Sequence, residues 1–219
     1  MDTIVRISVT LIALLFAITI HEVAHGWTAN RLGDPTARLA GRLTLNPIKH
    51  LDVIGSFVLP LLLFIIGSSI IFGYAKPVPV NFYNLHHYRR DIAVVAAAGP
   101  IANLVCALLC GLLSRILLSI DYLWIDSFLF GPLMGMLALL RYSVVINVIL
   151  AVFNMLPILP LDGGRILSGI LPPGQAASLA RAERFGIIIV FFLLFTHTID
   201  RIMLPIIRIL IGLFMGKIL

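Results

Sequence analysis

Charge is what this sequence has least of. Only 12% of its 219 residues are Asp, Glu, Lys or Arg, whereas 60% are hydrophobic. Soluble domains carry about a quarter charged residues and about half apolar ones. Too few charges are present to cover a water-exposed surface, so the bilayer must solvate much of the chain. Cysteine is scarce as well. Cys106 and Cys110 stand one helical turn apart inside an apolar run; a disulfide is badly placed at that spacing, and buried thiols are the plainer reading than a metal pair. No small-x-small cleavage site follows the first apolar run, which argues against a cleaved leader and for a retained membrane helix. Tandem repeats, low-complexity tails and soluble appendages are also missing. The net charge of +6 comes without aromatics interleaved among basic residues. Nucleic-acid binding is therefore set aside, and the charge is read as membrane topology.

What is present is a series of apolar segments, at about 4–27, 53–72, 91–120 and 133–156, with a C-terminal region apolar over 185–198 and 202–215. The last two are one kinked helix or two short ones, broken around Asp200, Arg201 and Pro205. Between the first two segments, residues 36–46 alternate. Ala37, Leu39, Leu43 and Leu45 fall on one face and Arg38, Arg42, Thr44 and Asn46 on the other, with Gly41 near the middle. A period of two predicts a strand or small β-hairpin. An exposed edge there could pair with an extended peptide, though a solvated surface hairpin fits the pattern equally. Lys76-Pro77-Val78-Pro79-Val80 is predicted to be extended, because each proline restricts its predecessor.

The chemistry lies in His21-Glu22-Val23-Ala24-His25, an H-E-x-x-H pattern. Histidines four apart on a helix share a face and can reach one zinc, with the glutamate beside the open coordination position. Ionisable residues inside a membrane segment are expensive and are functional candidates by default. The bland alternative is a solvated helix end at the interface. A third protein ligand is expected of a zinc hydrolase, and Asp162 is the best remaining candidate at membrane depth. It follows Asn154-Met155-Leu156-Pro157-Ile158-Leu159-Pro160-Leu161 and precedes Gly163-Gly164. The prolines break a helix there, and such irregular backbone is tolerated in a membrane only when it is buried in protein or lines a polar cavity. An N-cap aspartate on a surface helix is the alternative.

Three motifs in this order resemble the site-2 protease family of intramembrane zinc metalloproteases: the H-E-x-x-H pattern, Gly99-Pro100-Ile101-Ala102-Asn103, and N-x-x-P-x-x-P-L-D-G-G from Asn154. Arg42-Leu43-Thr44-Leu45-Asn46-Pro47 and Tyr74-Ala75-Lys76-Pro77-Val78-Pro79-Val80-Asn81 resemble its small prokaryotic branch without PDZ or nucleotide-sensing domains. The resemblance covers nearly the whole chain. It implies one zinc on His21, His25 and Asp162, Glu22 as the catalytic base, and Asn103 and Asn154 as helpers that bind substrate or oxyanion. It implies substrates that are transmembrane segments or leftover signal peptides. Ala96, Gly99, Asn103 and Ala107 share one helix face; small residues there would let helices approach and bring Asn103 near the metal. For Asn103 and Asn154 an ordinary interhelical hydrogen bond is the plain alternative.

The fold expected is an all-α polytopic membrane protein, a single protease domain over 1–219. It comprises a three-helix catalytic core, a re-entrant or hairpin element at 53–72, a small β-hairpin and C-terminal helices. The re-entrant element follows from parity. The H-E-x-x-H end of the first segment and Asp162 must meet on one side, which four full crossings would forbid. Loops 28–52, 73–90 and 163–184 are basic and 121–132 is acidic, so the positive-inside rule places the zinc toward the cytoplasmic side of the cell membrane. His50, His86 and His87 are expected to be solvated or interfacial, and His197 to pack or sit at the interface. A zinc transporter or sensor using the same ligands is the rival function. It would have no need of Glu22 between its ligands, and no internal repeat is visible. Oligomeric state is not encoded legibly.

Overall fold

A computed structural model of the chain describes residues 3–52, 76–119 and 127–216. Three apolar runs fold as long helices: α1 (Thr3–Arg31), α3 (Tyr88–Leu118) and α4 (Ser127–Asn154). Each contains a stretch long and apolar enough to cross a membrane. At about 1.5 Å of rise per residue they exceed the ~30 Å hydrocarbon core. The short α2 (Thr36–Leu39) follows α1, and α5 (Asp162–Ile170), α6 (Pro173–Phe195) and α7 (Thr198–Met215) follow α4. The C-terminal apolar region is thus two helices, with His197 in a left-handed conformation at their junction.

The packing inverts the soluble pattern. The buried face of α3 is mostly small and polar, with Ala96, Gly99, Asn103, Ala107, Gly111 and Ser114 along it. Its large residues, such as Ile101, Leu109 and Ile116, point outward. Lipid tails solvate leucine as well as a protein core does, so helices in a bilayer associate through close backbone approach and interhelical hydrogen bonds worth about 0.6–2 kcal/mol each. Those bonds set the register here. Asn103 on α3 reaches the Ala17 carbonyl on α1 and Asn147 on α4, while Val95 on α3 meets His25 on α1. Asn154 of α4 shares a cleft with Val95 and Ala96 of α3; residue numbers rise on one helix as they fall on the other in both pairs, so α3 is antiparallel to both α1 and α4. The C-terminal ends of α1 and α4 therefore lie together. An apolar cluster of Val144 and Val148 from α4, Ala107 from α3, and Ile199, Met203, Ile207 and Phe214 from α7 closes the bundle on its other side.

The expected re-entrant element at 53–72 and the first part of the acidic connection expected at 121–132 lie outside the described residues, whereas 127–132 form the start of α4. The Lys76 amide donates to the His50 carbonyl at 2.9 Å, and the His86 amide to that of Leu32 at 3.0 Å.

The β-hairpin expected at 36–46 is not there; among the described residues there is no strand. Asp34 is the reason. The Thr36 amide donates to its Oδ1 at 3.1 Å, and the Thr36 hydroxyl donates to the same oxygen. This bond from a side chain to the amide two residues on is an Asx-type turn, which bends the chain into α2 where a strand was expected. Gly41, expected in the middle of a hairpin, has a φ of 63° and ends the turn. Its amide donates to the Arg38 carbonyl, and that of Arg42 to the Ala37 carbonyl, the paired bonds of a left-handed helix stop. Leu39, placed by the alternation on an apolar face, is 77% exposed. His50, expected to be solvated, is instead buried, with its Nε2 at 2.9 Å from the Thr44 carbonyl. His86, His87 and His197 are exposed.

Candidate metal centre

α1 carries His21, Glu22 and His25 in its last three turns, and α4 ends nearby at Asn154. Pro157 and Pro160 prevent α4 from continuing, and the chain turns back so that Asp162 opens α5. Asp162 Oδ2 then lies 3.1 Å from His21 Nε2 and 3.3 Å from His25 Nε2. The two Nε2 atoms are 3.0 Å apart. The partially positive N-terminus of α5 favours a carboxylate at this position.

The second nitrogen of each imidazole determines what the first presents. His25 Nδ1 sits 2.7 Å from the Val95 carbonyl, which only accepts, so the hydrogen is on Nδ1. His21 Nδ1 sits 2.6 Å from Asn103 Oδ1. The amide nitrogen of Asn103 faces the Ala17 carbonyl at 3.1 Å and Asn147 Oδ1 at 2.7 Å. Nδ1 of His21 is therefore the protonated nitrogen as well. Both Nε2 atoms aim lone pairs at Asp162 Oδ2, a buried oxygen with no hydrogen-bond donor.

Such a convergence of lone pairs is repulsive unless a cation lies among them, and a zinc ion fits. Nitrogen and oxygen ligands about 2.0–2.2 Å from one tetrahedral zinc stand roughly 3.3–3.6 Å from each other, within a few tenths of an ångström of the observed edges of 3.0, 3.1 and 3.3 Å. His21, His25 and Asp162 are the only described His, Cys, Asp or Glu residues that group in this way. Gly99 of α3 faces them directly. A Cβ there would lie 2.6 Å from His25 Cε1 and 2.7 Å from His21 Cε1, so only glycine lets α3 pass this close.

A cleft of about 440 Å³ opens on the group. Glu22, Asn154 and Arg165 lie on its wall, together with Pro77, Val78, Val80 and Phe82. The extended backbone beside the centre is thus 76–80, not 36–46. The Val78 amide donates to Glu22 Oε2 at 2.7 Å. Both ends of this segment are tied down. Arg42 donates to the Lys76 and Pro77 carbonyls at 3.1 and 3.4 Å. Asp34, fully buried, accepts from the Asn81 amide at 2.7 Å and the Asn84 side chain at 2.9 Å. Burial opposes ionisation of Asp34, but its donors, led by the Thr36 hydroxyl and Asn84, outweigh it and hold the carboxyl below its ordinary range.

Of the helper asparagines, Asn154 reaches the cleft, donating one amide hydrogen to the Leu150 carbonyl at 3.0 Å. Asn103 does not line the cleft. It lies behind His21, fully buried, with both amide hydrogens engaged. Sequence reasoning missed Asn147, Asp34 and Arg42. Asn147 could have been found as a second amide two helical turns before Asn154 on the same apolar helix; Arg42 stood in a resemblance motif that did not reveal its partners, and Asp34 gave no local signal.

Membrane-length helices around a grouped His, His and Asp, with a glutamate beside them, define the class of membrane zinc proteases. Comparison with known proteins agrees. The model of Peptidase family M50 matches residues 125–197. YwhC of Bacillus subtilis, whose name proposes a zinc metalloprotease, is 38% identical over 184 residues, covering 84% of this chain and 78% of that protein. Rip2 of Mycolicibacterium smegmatis and Rip2 of Mycobacterium tuberculosis, named in the same way, are 33% and 30% identical, each over 85% of this chain and 66% of the relative. No solved structure matches. The chain belongs to peptidase family M50, the site-2 proteases, and is a membrane zinc metalloprotease.

Proposed function

We propose that this protease cuts peptide bonds in or near transmembrane segments of other membrane proteins, as in regulated intramembrane proteolysis, from a multi-pass position with its centre toward the cytoplasm. The observation that carries this reading is the convergence of three unprotonated donor atoms on one point, at the ends of membrane-length helices, with Glu22 beside them on an open cleft. His21, His25 and Asp162 hold one zinc, which when bound supplies Lewis-acid polarisation of the scissile carbonyl and activation of water at neutral pH. Glu22 takes a proton from the attacking water and passes it to the leaving amine nitrogen. The Val78 amide holds Glu22 Oε2 in place for this transfer. Asn154 has a second amide hydrogen for the substrate carbonyl. Asn103 serves through His21, since it has no amide hydrogen to spare for an oxyanion.

The apolar wall of Pro77, Val78, Val80, Phe82 and Leu161 suits an unwound hydrophobic peptide. A substrate helix hides its peptide groups in its own hydrogen bonds and must open before it is cut. The basic segments flanking the centre, including Arg31, Arg38, Arg42 and Lys49, support a cytoplasmic orientation.

The test is cleavage of a model transmembrane substrate by wild type and Glu22→Gln in zinc-loaded, reconstituted form. Loss of a general base costs about 10²–10⁴ in rate, so Glu22→Gln should keep its zinc and lose cleavage by at least that lower figure. Cleavage near the wild-type rate would overturn the assignment of Glu22. Zinc flux into liposomes without any peptide cleavage would favour a transporter instead.

A further inference from the structure

His25 is held by a backbone carbonyl, which cannot turn round. His21 is held by a side-chain amide, which can. If the Asn103 amide flipped, it would offer hydrogens to His21 Nδ1. The imidazole would then carry its own hydrogen on Nε2, pointing at the space between His25 and Asp162. The orientation of one amide thus decides whether His21 presents a lone pair to the metal, and something must hold that amide.

We propose that Asn147 of α4 is a positioning residue of the metal centre, locking the Asn103 amide and through it the tautomer of His21. This rests on the zinc reading above and adds a residue to it. Asn147 is 1% exposed. Its Nδ2 donates to the Ser143 carbonyl at 2.8 Å. That carbonyl only accepts, so Asn147 itself has one permitted orientation, with Oδ1 toward Asn103. Asn103 Nδ2 then faces two acceptors, the Ala17 carbonyl at 3.1 Å and Asn147 Oδ1 at 2.7 Å. Flipping Asn103 would set its oxygen against both. The result is a one-way ladder in which His21 donates to Asn103, Asn103 to Asn147, and Asn147 to the α4 backbone. Every donor points away from the centre. Burial excludes water that could relax the arrangement, and such a ladder is worth more in a low-dielectric site than its members are singly. Outer partners of ligating histidines act on metal affinity by fixing ring orientation and tautomer.

The experiment uses the full-length chain as wild type, Asn147→Leu and Asn147→Asp. Zinc affinity is measured by competition with a chelator, and ligand geometry by the visible spectrum after cobalt substitution. Asn147→Leu keeps the branched framework of the side chain and removes the acceptor; zinc binding should weaken by about tenfold, at the lower end of outer-shell effects, and the cobalt spectrum should change. Asn147→Asp keeps an oxygen that accepts from Asn103 in either protonation state, so affinity and spectrum should return toward those of wild type. A packing role would leave both readouts unmoved or would be met equally poorly by both variants. Wild-type affinity and spectrum in Asn147→Leu, or no recovery in Asn147→Asp, would overturn the proposal. If Asn147→Leu fails to fold, Asn147→Ala removes the same acceptor and carries the same expectations. Absence of zinc from wild type would overturn the metal-centre reading, and this proposal with it, whereas equal zinc in wild type and variants overturns only the role of Asn147.

Discussion

His21, His25 and Asp162 come from two segments far apart in sequence, yet their donor atoms lie within 4.8 Å of one another. A metal bound there should depend on both segments. Purified wild type should carry about one zinc per chain. Asp162→Ala, and the double change His21→Ala with His25→Ala, should each weaken binding by more than the about 10–100-fold that outer-shell partners contribute. Elemental analysis after dialysis measures this; full zinc retention in either would show that the two motifs do not share an ion. That His21 and His25 would share one face was legible from the H-E-x-x-H spacing, because four residues is one helical turn. The role of Asn103 was not. Its neighbour across the bundle is 82 positions away, and no local pattern distinguishes an amide that faces a cleft from one that backs a histidine.

Among the elements, α3 and the 76–84 segment both bear on the centre. Gly99→Ala should push both imidazoles aside, since the new methyl would overlap their Cε1 atoms. We expect folded, membrane-inserted protein with most of its zinc lost; wild-type zinc content in Gly99→Ala would contradict the close approach of α3 to α1. The 76–84 segment holds Glu22 only as firmly as Arg42 and Asp34 hold the segment. Losing a buried hydrogen-bond partner costs about 1–3 kcal/mol, and about 1.4 kcal/mol is a factor of ten. Asp34→Ala should therefore lower kcat roughly tenfold or more while zinc stays bound. Cleavage kinetics beside metal analysis separate this from a general loss of structure: zinc and kcat falling together would place Asp34 in the scaffold instead. The alternation in 36–46 suggested a strand because period-two patterning does not register an aspartate turn just before it or a left-handed glycine within it. Asp34 and Gly41 overrode it.

At the scale of the whole molecule, the large apolar residues face outward on α1, α3 and α4, as lipid solvation requires. The common end of α1 and α4 carries the centre and basic flanks. With Cys106 and Cys110 replaced by alanine, single cysteines introduced at Lys49 and Ser178 should react with a membrane-impermeant thiol reagent only from the cytoplasmic side, and one at Asp121 only from the outside. The reverse labelling would invert the proposed orientation.

Composition alone determined that the bilayer is the solvent, and hydropathy determined which stretches could span it. Residue spacing along α1 and the prolines before Asp162 determined the kind of site. These properties depend on chain neighbours, which one sequence displays directly. Only the tertiary structure decided that Val78 binds Glu22, that Asp34 and Arg42 tie the segment down, that His50 is buried, and that the Asn103 amide turns toward His21 with Asn147 behind it. Each of these is a contact between residues brought together by helix packing, and in a bilayer the packing follows from close approach and interhelical hydrogen bonds across the whole bundle, not from any local pattern.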